Sequence, residues 1–150
     1  MKLAIGADHG GFQLKNEIAQ FLKKVGHDVI DLGAYNEEPS DYPDFARAVC
    51  QKIMEKKADR GILICGSGVG ACVAANKFPG IRGAVCHDTF SARQGVEDDN
   101  VNVLCLGARV IGTGLAKEIV NAWLSAAFSN VERHRKRLAK VEKIEKEFLK

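Results

Sequence analysis

The chain has 150 residues, 46% of them hydrophobic and 27% charged, with a formal net charge of +3. This length and balance predict one globular domain over residues 1–150, with no room for a separate cofactor domain. The small net charge gives no reason to expect a nucleic-acid partner. Apolar runs stay well short of the roughly 20 residues that cross a bilayer, and charged residues come too early for a signal peptide, so we expect a cytoplasmic protein without a membrane partner.

Short apolar runs alternate with longer amphipathic segments, a pattern typical of βαβ units around a parallel sheet. The first helical segment has Leu14, Ile18 and Leu22 on one face, and a later one has Ile119 and Trp123 on its buried face. We predict strands at residues 2–7, 29–32, 60–65, 81–86 and 102–106.

The polar stretch at residues 33–44 is predicted to be a loop, long enough to suggest a functional role. Phe45 and Val49 mark the buried face of the helix that follows it. A short helix is predicted after the third strand, and Asp88 is a candidate N-cap for the helix that precedes the fifth strand. The fold class is therefore a single-domain, Rossmann-like, doubly wound α/β fold with a five-stranded parallel sheet.

The last segment, at about residues 129–150, is predicted to form a basic helix with one apolar stripe. By itself such a segment is a solvated helix face, and it lacks the interleaved aromatic residues seen in many single-strand binders of nucleic acid. Its apolar stripe contains Leu138, Val141, Ile144 and Phe148. Its basic residues are Arg133, Arg135, Lys136, Arg137, Lys140, Lys143, Lys146 and Lys150.

A glycine-rich loop at residues 66–70 follows the third strand. Closely spaced glycines at a strand-to-helix turn let backbone N–H groups converge on an anion, so the loop predicts an oxyanion or phosphate cradle. The loop also fits a loose dinucleotide fingerprint, with Asp88 near the expected distance for a ribose-binding acid. The short helix after the loop, and its position after the third strand, argue against that alternative.

Cys65 ends the third strand immediately before this loop, where the helix dipole and converging amides favour the thiolate. It is therefore a candidate base or nucleophile. The chain has five cysteines, an odd number without the paired spacing of a zinc site, so we expect reduced thiols. Cys86 and Cys105 are interpreted as small buried hydrophobic residues.

Six stretches, taken together and in this order, resemble the ribose-5-phosphate isomerase B group, which includes the galactose-6-phosphate isomerase subunits. The resemblance covers essentially the whole chain. The stretches are residues 6–11 (GADHGG), 41–43 (DYP), 61–70 (GILICGSGVG), 74–77 (AANK), 102–104 (NVL) with 107–109 (GAR), and 133–134 (RH) with Arg137.

The resemblance implies an aldose–ketose isomerase that acts on a small phosphorylated sugar, with ribose 5-phosphate and ribulose 5-phosphate as the first choice of substrates. A tetrose 4-phosphate, a hexose 6-phosphate, or a nucleotide-binding or non-catalytic sensor are the alternatives. Cys65 corresponds to the base, and Ser67 with the amides of Gly66, Gly68 and Gly70 to the oxyanion site. The substrate contacts implied by the resemblance are Asp8, His9, Tyr42, Asp99, Arg109, Arg133, His134 and Arg137.

The same resemblance implies no metal ion and no organic cofactor, because base, oxyanion site and phosphate clamp all come from protein. In the family, part of the phosphate-binding set comes from a neighbouring subunit. We therefore expect a homodimer or a dimer of dimers, with the C-terminal helix used in dimerisation.

The chain departs from the family at Asp98 and Asp99, where a His-Asn pair is common. That histidine is usually assigned to opening the furanose ring. Ring opening here falls to Asp98, to another group such as His9, or to solution chemistry, or it is not required.

Overall fold

Five parallel strands form the sheet at the centre of the computed structural model, which describes residues 1–149. Lys150, counted above in the basic segment, lies outside the described residues. The order across the sheet is β2-β1-β3-β5-β4. The strands are β1 (Lys2–Ala7), β2 (Asp28–Asp31), β3 (Arg60–Cys65), β4 (Gly83–Val85) and β5 (Val103–Gly107).

Helices cover both faces of this sheet, as a doubly wound fold requires. On one face α1, α4 and α5 bury Ile18, Val96 and Trp123, and on the other α2 and α3 bury Val49 and Ala71. The predicted α/β fold class is confirmed. The helices are α1 (Phe12–Lys24), α2 (Tyr42–Met54), α3 (Val69–Ala75), α4 (Thr89–Asp99), α5 (Thr113–Ser125) and α6 (Glu132–Phe148).

Several boundaries differ from the sequence prediction by one to three residues, and two of these differences have identifiable reasons. Strand β4 starts at Gly83 because the backbone N–H of Arg82 donates to the side chain of Asn102 at 2.8 Å instead of joining the strand ladder. Helix α2 starts at Tyr42, inside the predicted loop, and Pro43 occupies its first turn, where a missing N–H costs nothing.

The parallel sheet separates two groups of residues along the strand direction. Cys65 pairs with Gly107, so both lie at the carboxyl edge. At the amino edge, the Arg60 guanidinium donates to the carbonyl of Trp123 at 2.7 Å, and the N–H of Ser129 donates to the carbonyl of Glu97 at 3.0 Å. The end of α4 and the start of α6 therefore lie about 15 Å from the carboxyl edge, since a strand rises about 3.3 Å per residue.

Helix α6 packs loosely on its own chain. His134 is its buried residue, while Val141, Ile144 and Phe148 are 50%, 59% and 79% exposed. Glu145 accepts a hydrogen bond from the N–H of Gly80 at 2.9 Å. The predicted apolar stripe thus lines a groove of about 540 Å³ between α6 and the rest of the chain, and much of it stays open to solvent. Within residues 1–149, all helices are too short or too polar to span a membrane.

Candidate active site

A cavity of about 390 Å³ lies at the carboxyl edge of the sheet, beside the end of β3. Such crevices are where doubly wound folds bind ligands. Predicted site residues from β1, α2, the glycine loop and the segment after β5 come together here. The lining residues are Asp8, Tyr42, Cys65, Gly66, Ser67, Gly70, Arg109 and Val110.

Cys65 is 5% exposed, and its sulfur accepts a hydrogen bond from the backbone N–H of Gly68 at 3.2 Å. An N–H donor aimed at sulfur stabilises negative charge on it. The thiol thus lies at the wall of the cavity with a backbone donor already in place.

The glycine loop holds this donor through a conformation that only glycine adopts without strain. Gly68 has φ +81, and a Cβ there would lie 2.9 Å from the carbonyl carbon of Leu106. At Gly70 a Cβ would lie 2.7 Å from the ring of Tyr42. The two glycines let the loop touch β5 on one side and the Tyr42 ring on the other.

His9 is exposed at the end of β1 and is fixed by a reciprocal pair of hydrogen bonds with Ser40. The N–H of His9 donates to the Ser40 hydroxyl at 3.1 Å, and the N–H of Ser40 donates to His9 Nδ1 at 3.1 Å. Nδ1 is therefore unprotonated, and the neutral ring carries its proton on Nε2. With Arg109, His9 also lines a neighbouring cavity of about 480 Å³.

The other predicted residues form a second group at the amino edge of the sheet. Asp98 Oδ2 accepts a hydrogen bond from Gln94 at 2.8 Å, and its Oδ1 lies 3.4 Å from His134 Nε2. His134 Nδ1 lies 2.6 Å from the hydroxyl of Ser129. Asp98 and His134 are therefore paired with each other. Before His134 could contact a phosphate, its contact with Asp98 or with Ser129 would have to break.

Arg133, Arg137 and Asp99 belong to the same second group. Both arginines are exposed on α6, one residue before and three residues after His134. Asp99 is exposed at the end of α4, beside the groove below α6. Within one chain, the sheet keeps these three residues away from Cys65.

Asp88 has a structural role that weakens the dinucleotide interpretation. Its carboxylate accepts a hydrogen bond from the N–H of Ser91 at 2.6 Å and so caps α4, as predicted. That hydrogen bond holds the pKa of Asp88 below its usual range. The neighbouring His87 accepts the N–H of Gly107 at 2.9 Å.

All five cysteines are free thiols, in agreement with the prediction. The environment of Cys72, in contrast, is not predicted by the sequence. Burial raises the pKa of Cys86 to about 11, and the pKa of Cys105 is also raised well above its usual value, first by its hydrogen bond to Cys72. Cys72 is half-buried, and hydrogen bonds, led by that from Cys105, lower its pKa to about 7. The one feature of the sequence that points to this environment is Asn76, four residues after Cys72, whose side-chain amide donates to the Cys72 sulfur at 3.4 Å.

Histidine, cysteine and acidic side chains do not gather into a group of three or more suited to a metal ion anywhere in residues 1–149.

A family model described as "Ribose/Galactose Isomerase" matches residues 3–141. The chain belongs to this family. It is an aldose–ketose isomerase of the sugar-phosphate type, as the sequence motifs predicted.

Relatives of similar identity act on different sugars. Ribose-5-phosphate isomerase B of Escherichia coli is 46% identical, over 96% of each chain. D-erythrulose-4-phosphate isomerase of Pectobacterium atrosepticum is 47% identical, over 85% of each chain. The solved ribose-5-phosphate isomerase B of Clostridium thermocellum is 50% identical over 99% of each chain, with a TM-score of 0.96. Overall identity therefore establishes the family without selecting the sugar.

The thiol environments predict how an alkylating reagent distinguishes the cysteines. We expect Cys72 to react with iodoacetamide at a rate that rises with pH and is half-maximal near pH 7, because the thiolate is the nucleophile. Cys86 and Cys105 should react slowly, as measured by peptide mass spectrometry. Replacing Cys72 by alanine should remove the pH 7 phase and leave Cys65 as the thiol that sugar phosphate protects. An unchanged phase in Cys72→Ala would contradict this assignment.

Proposed function

We propose that the enzyme interconverts ribose 5-phosphate and ribulose 5-phosphate, with Cys65 as the base that moves a proton between C1 and C2. The observation that carries this proposal is the Cys65 sulfur in the wall of the carboxyl-edge cavity, 3.2 Å from the N–H of Gly68. A base must reach the substrate and tolerate negative charge before it accepts the proton. Burial at 5% exposure keeps competing water away from the sulfur.

Proton removal from C2 of the open-chain aldose leaves an enediolate, whose negative oxygen needs donors that are already in position. In the proposal, the Ser67 hydroxyl and the amides of Gly66 and Gly70 supply them. The N–H of Val69 already holds the Ser67 hydroxyl at 3.2 Å, which orients its proton away from the loop. Asp8 and Tyr42, across the same cavity, bind the sugar hydroxyls.

The phosphate is bound by Arg109 together with Arg133 and Arg137 of a second subunit. Arg109 is exposed between the two carboxyl-edge cavities, and guanidinium groups match phosphate oxygens in charge and geometry. Because the sheet separates Arg133 and Arg137 from Cys65 in one chain, a homodimer or dimer of dimers would unite them. The partly exposed apolar stripe of α6 supports such an association, because Ile144 and Phe148 are 59% and 79% exposed. The proposed chemistry uses neither metal nor organic cofactor.

Replacing Cys65 by alanine is expected to reduce turnover of ribose 5-phosphate by about 100-fold to 10,000-fold, the usual contribution of a general base. Binding of a sugar-phosphate analogue should persist, because the phosphate clamp is intact. Calorimetric titration and a coupled ketose assay measure the two effects. Cys72→Ala is the matched control and should keep near-normal turnover. Near-normal turnover in Cys65→Ala would exclude Cys65 as the base.

Subunit sharing can be tested by mixing two inactive variants. A Cys65→Ala chain and an Arg137→Ala chain should form hybrid dimers with one site that contains both intact residues. Activity should therefore appear after subunit exchange, which native mass spectrometry of differently tagged chains can monitor. The control mixes Cys65→Ala with Cys65→Ser, whose hybrids lack an intact site. Proven exchange without recovered activity would mean that each chain completes its own site.

A tetrose 4-phosphate is a second candidate substrate, and the environment of Asp98 favours it. A proton shuttle must direct an oxygen at the sugar, yet the two oxygens of Asp98 are directed at Gln94 and His134 of the same chain. In a tetrose 4-phosphate, O4 carries the phosphate and cannot close a furanose ring. Such a substrate needs no ring-opening residue, so the contacts made by the Asp98 carboxylate would not reduce activity.

The variant Asp98→Asn separates the two candidates. Asparagine keeps the shape of the side chain but cannot transfer a proton at neutral pH. If Asp98 opens the ring, turnover of ribose 5-phosphate should fall while turnover of erythrose 4-phosphate is spared. Glu97→Gln, which alters the adjacent carboxylate, is the control. A wild-type enzyme that prefers the tetrose, with no effect of Asp98→Asn, would replace the pentose by the tetrose as substrate.

A further inference from the structure

Lys15 is a buried cation that the proposed chemistry does not use. Its side chain is 1% exposed, and its ammonium group donates to Asp31 Oδ1 at 2.8 Å, Asp31 Oδ2 at 3.0 Å and the carbonyl of Ala34 at 2.7 Å. The rings of Phe12 and Tyr35 lie 5.5 Å from its nitrogen. All three donor directions of the ammonium are thus directed at one short segment of backbone and side chain.

Stability alone is a weak explanation for such a pair. Burying the Lys15 ammonium has a large desolvation cost, which the attraction of Asp31, itself 29% exposed, only partly offsets. The pair does fix the geometry of its surroundings, because an ammonium group that donates to three acceptors holds those acceptors in one arrangement. The segment that it holds therefore matters.

Asp31 passes this constraint to the end of β1. Its Oδ1 also accepts the N–H of Gly33 at 2.9 Å. Gly33 and Ala34 in turn bond to Ala7, through Ala7 N–H to Gly33 O at 2.7 Å and Ala34 N–H to Ala7 O at 2.6 Å. The pair thereby fixes the chain beside Ala7, directly before Asp8 and His9.

The far end of the same segment touches two proposed sugar contacts. Ser40 makes the reciprocal hydrogen bonds that leave His9 Nδ1 as an acceptor. Two residues later, α2 begins at Tyr42, whose ring lies against Gly70. Residues 33–41 thus run from the Lys15 pair to the sugar side of the cavity.

We propose that Lys15 and Asp31 are positioning residues that act through this segment, holding the His9 ring in one tautomer and the Tyr42 ring against the glycine loop. This inference rests on the proposed role of His9 and Tyr42 in sugar binding. Cys65 and its Gly68 donor lie outside the segment. The pair therefore governs substrate binding more than proton transfer.

The test compares wild type with Lys15→Met/Asp31→Leu, which replaces the ion pair by apolar side chains. We expect thermal stability to be retained or modestly lowered, because the variant removes a costly buried charge but also removes the partners of the Gly33 N–H and the Ala34 carbonyl. We also expect kcat/KM to fall by about tenfold to a hundredfold, mainly through KM, on whichever sugar phosphate the wild type turns over. Glu55→Gln/Lys57→Met, which removes an exposed ion pair, is the matched control and should change neither quantity.

A second readout needs no substrate. Nitrogen-proton correlation spectra of the four histidine rings, with His9 assigned by a His9→Gln variant, should show His9 with a proton on Nε2 in wild type. The double variant should show a mixture of tautomers. This readout can succeed even if the enzyme proves inactive on ribose 5-phosphate, so failure of the proposed function stays distinguishable.

Asp31→Asn tests the same idea in a smaller step, because it keeps an acceptor for the N–H of Gly33 while removing the charge. It should give an intermediate KM and a partly mixed His9 tautomer, and it decides the question if the double variant does not fold. Wild-type KM together with an unchanged His9 tautomer, in either folded variant, would show that the pair is only structural and overturn the proposal.

Discussion

The polarity of the parallel sheet is the constraint on which the rest of the molecule depends. All carboxyl ends lie at one edge, so Asp8, Cys65 and Arg109 meet there although they are far apart in sequence. The same polarity sends the end of α4 and the start of α6 to the opposite edge. An α/β sheet therefore brings together the residues that follow its strands, and it separates them from the residues that end its helices.

Within the carboxyl edge, a close backbone approach sets the position of the thiol. Gly68 adopts φ +81 and lies against Leu106, which points its N–H at the Cys65 sulfur. A side chain at this position would meet the β5 backbone at 2.9 Å and move that donor. The sulfur, its donor and the other amides of the glycine loop therefore respond together to any change in the loop. The packing of this loop on β5 thus affects the proposed chemistry.

The sequence predicts the features that depend on hydrophobic periodicity and on which residues end each strand. Residues 2–7 and 60–65 form strands with the predicted bounds, and the residues that follow β1, β3 and β5 line one cavity. Contacts between distant side chains carry no such signal. The Lys15 pair joins α1 to the end of β2, and the Cys72 environment depends on a thiol in β5. The short β4 follows from the Asn102 side chain, which no local propensity records.

The separation of the two residue groups means that a change in one group need not disturb the other. Asp98 and His134 join α4 to α6, while Cys65 and its loop belong to α3, β3 and β5. A substitution at position 98 therefore alters the helix pair that carries Arg133 and Arg137, and it leaves the thiol and its donor in place. In the proposed function, sugar length corresponds to the distance between the reacting carbons and the phosphate. A change at the α4–α6 contact would move Arg133 and Arg137 relative to that phosphate, while Cys65 and Arg109 keep their places at the carboxyl edge of the sheet.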